Sequence, residues 1–407
     1  MILSLSHPTA ECNGQLRITG SKSESNRLLL LQALFSGFTI ENTSESDDSI
    51  VMQAALKSEA EVVDVHHAGT AMRFLTAYFS HLEGREVVLT GSQRMQERPI
   101  KILVEALQAI GASISYEKEE GYPPIRIQGK KLKGGTVSLP ADISSQYISA
   151  LLLIGPVLEQ GIQLDLIGEI TSVPYINMTL SLLKNLGVQT KFEGQSIQVE
   201  PQKNPKRITQ IVESDWSSAS YFFSIVALSA QSEVHLTSYM ENSLQGDRVL
   251  REIYSQLGVV SLIEGQTLKL KKEALGLPEV LHWDLTKAPD IAQTIAVTCY
   301  GLGIGCKLTG LHTLKIKETD RLQALYNELT KLGARIQVTD TSLELAPGAN
   351  FIANCSLPTY NDHRMAMAFA PLALKVPLTI EDAEVVSKSY PTFWDDLEQI
   401  NFKINRR

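Results

Sequence analysis

Cysteine is scarce. Four are spread over 407 residues, at Cys12, Cys299, Cys306 and Cys355, and no two stand as a Cys-x-x-Cys pair. That spacing argues against a disulfide framework or a thiolate metal site, and fits free thiols packed as small apolar groups in a reducing compartment. The eight histidines show no metal-ligand spacing, and adjacent His66 and His67 cannot face one ion from a regular strand. A Walker loop is missing. Gly301-Leu-Gly-Ile-Gly305 follows a helical stretch instead of opening one after a strand, so it fails the dinucleotide fingerprint. No Gly-x-Ser-x-Gly elbow marks a nucleophilic serine. No cofactor, no metal and no covalent nucleophile are therefore indicated.

No run approaches the roughly 18 apolar residues of a membrane span, and the N-terminus shows no basic region followed by an apolar one. The cytoplasm is the expected compartment, with no membrane partner. Positive charge is also short, with 37 Lys and Arg against 45 Asp and Glu and a net charge of -8. Nucleic acid or an acidic membrane is thus not expected as the main partner, because phosphate backbones are held by clustered cations. Any anion site must be local. What is present is an ordinary globular composition, 43% hydrophobic and 20% charged, long enough for two or three domains.

Two helix classes recur along it. Amphipathic helices end in a C-cap glycine at Leu103 to Gly111, Leu180 to Gly187, Leu250 to Gly258 and Leu322 to Gly333, each followed by a hairpin of short strands. A second class is apolar on nearly all sides and opens at Ser23, Gly69, Ser144, Ser217, Asp290 and Asp362. Apart from a short first interval, both series repeat at roughly 75 residues, which implies six copies of one supersecondary unit, the first trimmed. Helices apolar all round are buried, so these should form the domain cores.

Chemistry gathers where those helices begin. Gly20-Ser-Lys-Ser-Glu-Ser-Asn-Arg27 puts a tight turn, capping serines, a point charge and a planar fork at one helix entrance. Taken singly it reads equally as a solvated, capped helix; repetition favours an anion site. Arg73 follows Gly69, Gln146 follows Ser144, Asp215 precedes Ser217, and Asp362-His-Arg364 opens the last helix. Capping alone does not explain cations on helices otherwise nearly devoid of charge. Lys315-Ile-Lys-Glu-Thr-Asp-Arg321 adds Lys317 and Arg321 at i, i+4 with Glu318 beside them, suited to hold a phosphate while a carboxylate moves protons, or merely to lace a surface turn. Arg94 and Arg98 precede Pro99, where another helix is expected.

Along essentially the whole chain these residues resemble the 5-enolpyruvylshikimate-3-phosphate synthase family. The likeness is carried by Gly20 to Arg27, Ala68-Gly-Thr-Ala-Met-Arg73, Leu89-Thr-Gly with Arg98-Pro99, Ser144-Ser-Gln146, Ser172 with Pro174-Tyr175, Asp215 with Ser217 to Tyr221, Pro289-Asp290, Lys317-Glu-Thr-Asp-Arg321, Tyr360-Asn-Asp-His-Arg-Met365 and Lys388. The resemblance implies two inside-out α/β domains, each of three β-α-β-α-β-β repeats, with a substrate cleft between them. One would span residues 20–211, its first repeat shortened; the other would join residues 1–19 to 212–407.

It implies a transfer of the enolpyruvyl group of phosphoenolpyruvate to the 5-hydroxyl of shikimate 3-phosphate, through a tetrahedral intermediate that loses phosphate. Lys22, Ser23, Arg27, Ser144, Ser145, Gln146, Ser172, Asp290 and Lys317 would hold shikimate 3-phosphate. Lys22, Gly69, Arg98, Gln146, Arg321, Arg364 and Lys388 would hold phosphoenolpyruvate. Asp290 would take the hydroxyl proton, and Glu318, with Lys22, would serve the methylene carbon. His67, Phe74 and Thr313 depart from residues common in the family. The rivals are the UDP-N-acetylglucosamine enolpyruvyl transferase of the same fold, whose reactive Cys has no counterpart in Ser92 to Glu97, and a binding protein without turnover. A monomer is expected.

Overall fold

The computed structural model describes residues 1–407 except 142, 143, 169, 171, 172, 204 and 275. The fold is mixed α/β, in two compact units: Gly20–Val212, and Met1–Thr19 joined to Glu213–Arg407. No helix among the described residues is long and apolar enough to cross a membrane.

Five four-stranded sheets share one plan, a parallel pair followed by an antiparallel pair, which is a hairpin in four of them and joins the two ends of the chain in the fifth. In the Gly20–Val212 unit, Val62–Asp64 lies parallel to Glu86–Thr90, which pairs with Ile125–Gln128 and then Ser113–Tyr116. Gly135–Pro140, Ile162–Ile167, Ser196–Val199 and Thr190–Glu193 repeat that order. A two-stranded sheet, Thr39–Glu41 parallel to Thr209–Ile211, completes the described strands there. In the other unit, Glu11–Leu16 runs parallel to Gln231–Thr237 ahead of the hairpin Val259–Glu264 and Thr267–Lys272. Val280–Asp284 and Gly305–Thr309 do the same before Ile336–Val338 and Leu343–Leu345. The third sheet orders Ser356–Leu357, Leu378–Ile380, Leu3–Ser6 and Lys403–Arg406.

A parallel pair needs a crossover, and in each unit an apolar helix supplies it. Gly69–His81 crosses from Val62–Asp64 to Glu86–Thr90, and Ala292–Leu302 from Val280–Asp284 to Gly305–Thr309. With Lys22–Leu34, Ser145–Ile154, Trp216–Leu228 and His363–Phe369 these are the buried helices. Strands alternate: in Gln231–Thr237 the side chains of Ser232, Val234 and Leu236 are buried and their neighbours are not. One covered face per sheet produces that pattern. The four amphipathic helices lie at Lys101–Ala109, Val173–Asn185, Leu250–Ser255 and Arg321–Lys331, and Gly111, Gly187, Gly258 and Gly333 beyond them take positive φ.

Several local expectations need correcting. Gly20 does not have positive φ; a Cβ there would lie 1.9 Å from the Asn42 carbonyl oxygen, so close approach is what demands glycine. Ser21 occupies the N-cap of Lys22–Leu34 without a side-chain capping bond. Asp290 caps no α-helix, since it lies in the 3-10 turn Pro289–Ile291 ahead of Ala292–Leu302. Lys317 precedes the helix Arg321–Lys331, so a turn and not the helical period brings it near Arg321. Pro99 does not start a helix: the short helix Gln93–Gln96 comes before it and Lys101–Ala109 after.

Candidate active site

In the Gly20–Val212 unit, polar groups gather at four helix entrances. Lys22, one-quarter exposed, has its Nζ 3.8 Å from Oδ2 of buried Asp48. Asp48 stands in the first turn of Asp47–Leu56, whose cap Ser46 and neighbour Ser49 belong to a buried chain of hydroxyls reaching Asn26. Arg27 is not the open fork the sequence suggests. Its Nε donates to Thr179 at 2.8 Å, Nη1 to the Ser23 carbonyl at 2.7 Å and Nη2 to Ser149 at 2.9 Å, beneath the ring of Phe74. Burial lowers its guanidinium to about 10, still a cation at neutral pH.

Gly69, Arg98 and Gln146 do come together. A Cβ on Gly69 would meet Arg98 Nη1 at 2.7 Å, so the missing side chain lets that guanidinium lie across the helix entrance. Arg73 Nη1 holds the Gly69 carbonyl at 3.1 Å and its Nη2 the Pro99 carbonyl at 3.3 Å, which ties the entrance to the Arg98 loop. Gln146 donates from Nε2 to Thr70 at 3.1 Å, and Ser144 caps the Gln146 helix. Ser145 is buried beside it, whereas Ser172 lies outside the described residues.

The other unit is centred on Arg321. Only 1% exposed, it donates from Nε to Asp362 at 2.7 Å, from Nη1 to Asp290 at 2.9 Å and from Nη2 to Glu318 at 2.9 Å. Asp290 also faces Lys317 at 3.2 Å and Arg364 at 3.4 Å, and Glu318 faces Lys388 at 2.8 Å. Burial opposes ionisation of Asp290, but Lys317, Arg364 and Arg321 overcome it and hold the carboxyl well below its usual range. For Arg321 the same contest runs the other way: burial disfavours its charge, while Asp362, Glu318 and Asp290 keep it fixed. Asp362 is the pivot of the arrangement. It clamps Arg321 with both oxygens and accepts the Arg364 backbone N–H at 2.9 Å, so one buried carboxylate sets both arginines.

Such a cluster can bind phosphate and carboxylate groups by charge-assisted hydrogen bonds and present two carboxylates to proton transfers. Asp48 and Thr70 were missed by sequence reasoning, as was buried Asp247, which accepts the Ser217 hydroxyl beside Arg364. Their only signals were acidic residues in the runs Ser44 to Asp48 and Gly246 to Arg248, and Thr70 beside Gly69.

Known proteins resemble this chain over most of its length. The EPSP synthase (3-phosphoshikimate 1-carboxyvinyltransferase) family matches residues 50–397. A 3-phosphoshikimate 1-carboxyvinyltransferase of Bacteroides fragilis is 46% identical over 406 residues, covering 98% of each chain. One from Haemophilus influenzae is 36% identical over 436 residues, covering 97% of this chain and 98% of its own. Among solved structures, an EPSP synthase from Acinetobacter baumannii superposes with a TM-score of 0.79 at 22% identity over 100% of both chains. The enolpyruvyl transferase NikO from Streptomyces tendae gives 0.73 at 17% identity, over 99% of this chain and 98% of its own. At those identities the two structures speak for the fold alone.

Proposed function

Because the chain belongs to the EPSP synthase (3-phosphoshikimate 1-carboxyvinyltransferase) family, we infer its reaction from that of its relatives. It transfers the enolpyruvyl group of phosphoenolpyruvate to the 5-hydroxyl of shikimate 3-phosphate and releases phosphate, a step of the shikimate pathway toward aromatic amino acids. The chemistry is addition then elimination. The hydroxyl oxygen forms a bond to C2 of phosphoenolpyruvate as the methylene carbon gains a proton; the tetrahedral adduct then loses that proton and phosphate, restoring the double bond.

We propose the following division of labour. Lys22, Ser23, Arg27, Ser144, Ser145, Gln146, Ser172, Asp290 and Lys317 hold shikimate 3-phosphate, and Lys22, Gly69, Arg98, Gln146, Arg321, Arg364 and Lys388 hold phosphoenolpyruvate. Asp290 accepts the hydroxyl proton and Glu318, with Lys22, delivers and removes the methyl proton. The observation that carries this reading is the meeting of Lys317, Arg321 and Arg364 on Asp290, and of Arg321 and Lys388 on Glu318. Four cations around two carboxylates suit substrates that each bear a phosphate and a carboxylate, because the cations offset charge as it shifts from substrate to leaving group. Arg27, with most of its N–H groups engaged, contributes chiefly by fixing the Lys22 helix against Thr179 and Ser149.

The finer architecture belongs to the same proposal: residues 20–211 as one inside-out domain, residues 1–19 with 212–407 as the other, three β-α-β-α-β-β repeats in each, and substrates in a cleft between them. The repeated sheet plan supports it. A cytoplasmic monomer that binds neither nucleic acid nor membrane completes the reading.

The test is phosphate release by the purified chain with phosphoenolpyruvate and shikimate 3-phosphate, run beside UDP-N-acetylglucosamine as the other acceptor. Release should require shikimate 3-phosphate, and Asp290→Ala and Glu318→Ala should each lower kcat by about 100-fold or more. Release with the nucleotide sugar, or full activity in either variant, would refute the assignment.

A further inference from the structure

Beside Arg364 lies a carboxyl that the mechanism does not use. Asp247 sits in the 3-10 turn Gly246–Val249, 6% exposed, and its Oδ2 accepts the hydroxyl hydrogen of Ser217. Ser217 belongs to the first turn of Trp216–Leu228, and its oxygen in turn accepts from Arg364 Nη2 at 3.3 Å. The same nitrogen is 3.4 Å from Asp290 Oδ2.

This relay has one sense only. A serine hydroxyl has a single proton and two lone pairs, and a guanidinium can only donate. With its proton committed to Asp247, Ser217 must turn a lone pair toward Arg364. Take Asp247 away and the hydroxyl is free to rotate, so the acceptor that fixes Nη2 is no longer assured. The carboxylate is also held at a cost, since burial and then the charge of Asp290 push Asp247 up to about 6. A buried charge that weakens the fold and yet faces a binding arginine suggests a gain in orientation elsewhere.

We propose that Asp247 is a positioning residue which, through Ser217, orients the Arg364 guanidinium for the phosphoenolpyruvate anion. This rests on the assignment of Arg364 to phosphoenolpyruvate made above. Asp247 itself touches neither substrate.

Steady-state phosphate release by the full chain tests it in wild type, Asp247→Ala, Asp247→Asn, Ser217→Ala and the double alanine variant. KM for phosphoenolpyruvate should rise about tenfold in Asp247→Ala, the worth of one hydrogen bond, with KM for shikimate 3-phosphate unchanged within about twofold. Ser217→Ala should show the same rise, and the double variant no more than either single, because one relay can be broken only once. Asp247→Asn keeps an acceptor for Ser217 and removes the buried charge. It should show a smaller rise in KM together with a higher thermal midpoint, whereas a residue retained for structure would show a lower one. An unchanged KM for phosphoenolpyruvate in Asp247→Ala, additive effects in the double variant, or a lower midpoint in Asp247→Asn would overturn the proposal. A wild-type chain without turnover would instead sink the functional assignment, and the role of Asp247 with it.

Discussion

Asp290 is given the task of taking a proton, yet Lys317, Arg321 and Arg364 hold it as a poor base. The contradiction resolves if the substrates bring their own anions. A phosphate or carboxylate entering among those three cations competes with Asp290 for the same donors, and every donor it draws away raises the basicity of Asp290. Binding thereby prepares the base. At the other cation cluster, Gly69→Ala offers a sharp test. The new Cβ would sit 2.7 Å from Arg98 Nη1, but a guanidinium is the end of a flexible chain and can swing aside. The fold should scarcely notice, with a thermal midpoint shifted by about 2 °C or less, while KM for phosphoenolpyruvate rises about tenfold through the displaced Arg98. An unchanged KM would remove Arg98 from the substrate. What was legible at this scale were charges at helix starts: Lys22, Asp290 and Arg364 stand out because the apolar helices they introduce carry so little charge, and Arg321 because it closes the charged run from Lys315 at the entrance of an amphipathic helix. Asp48 and Asp247 did not stand out, since a buried acid in the first turn of a helix or 3-10 turn reads in the sequence like any solvated one. How fully the Arg27 fork is engaged was hidden for a related reason. Two of the groups that take its N–H bonds, Ser149 and Thr179, lie far along the chain and nothing local announces them.

At the level of helices and strands, period and punctuation carried far. Leucines at helical spacing closed by Gly111, Gly187, Gly258 and Gly333 located the four amphipathic helices, because a glycine in the left-handed region is the least strained way to end one. Period failed where the backbone leaves the α conformation. Asp290 lies in a 3-10 turn and Lys317 outside the helix it seemed to share with Arg321, so both reach the cluster through turns whose geometry no spacing rule encodes. Gly20 marks the same limit. It reads as a turn glycine, but its role is to let the backbone ahead of Lys22–Leu34 pass against the Asn42 carbonyl, where a Cβ would stand at 1.9 Å. Backbone cannot swing aside as Arg98 can. Gly20→Ala should therefore destabilise the chain by about 2 to 3 kcal/mol in urea unfolding and lower kcat by shifting the adjacent Lys22 helix. Equal stability would mean that the approach relaxes at no cost.

Across the whole molecule, the unit holding Asp290, Glu318 and Arg321 is discontinuous, and its first residues are structural members of it. Leu3–Ser6 pairs on one side with Leu378–Ile380 and on the other with Lys403–Arg406, so it is an inner strand joining elements from the far end of the sequence. Glu11–Leu16 runs along Gln231–Thr237 over six residues, and Cys12 and Leu16 are buried in the core of that unit. Removing residues 1–19 would leave Leu378–Ile380 and Lys403–Arg406 without a common partner and open the apolar edge of Gln231–Thr237. Unpaired edges of that kind favour aggregation. The sheets and buried helices of the Gly20–Val212 unit lie wholly within its own span, so the deletion removes none of them. The truncated chain should accordingly be inactive, and brief proteolysis should digest it to a resistant fragment lying within residues 20–212. Hydrogen exchange should be fast throughout residues 213–407 and slow in Gly69–His81 and Ser145–Ile154. Uniform protection across both spans would show that the long-range strands are dispensable. In that case the stability of the unit would have to come from its helices Trp216–Leu228, Ala292–Leu302 and His363–Phe369 alone, against the expectation that a sheet with its inner strand removed cannot keep its covered face.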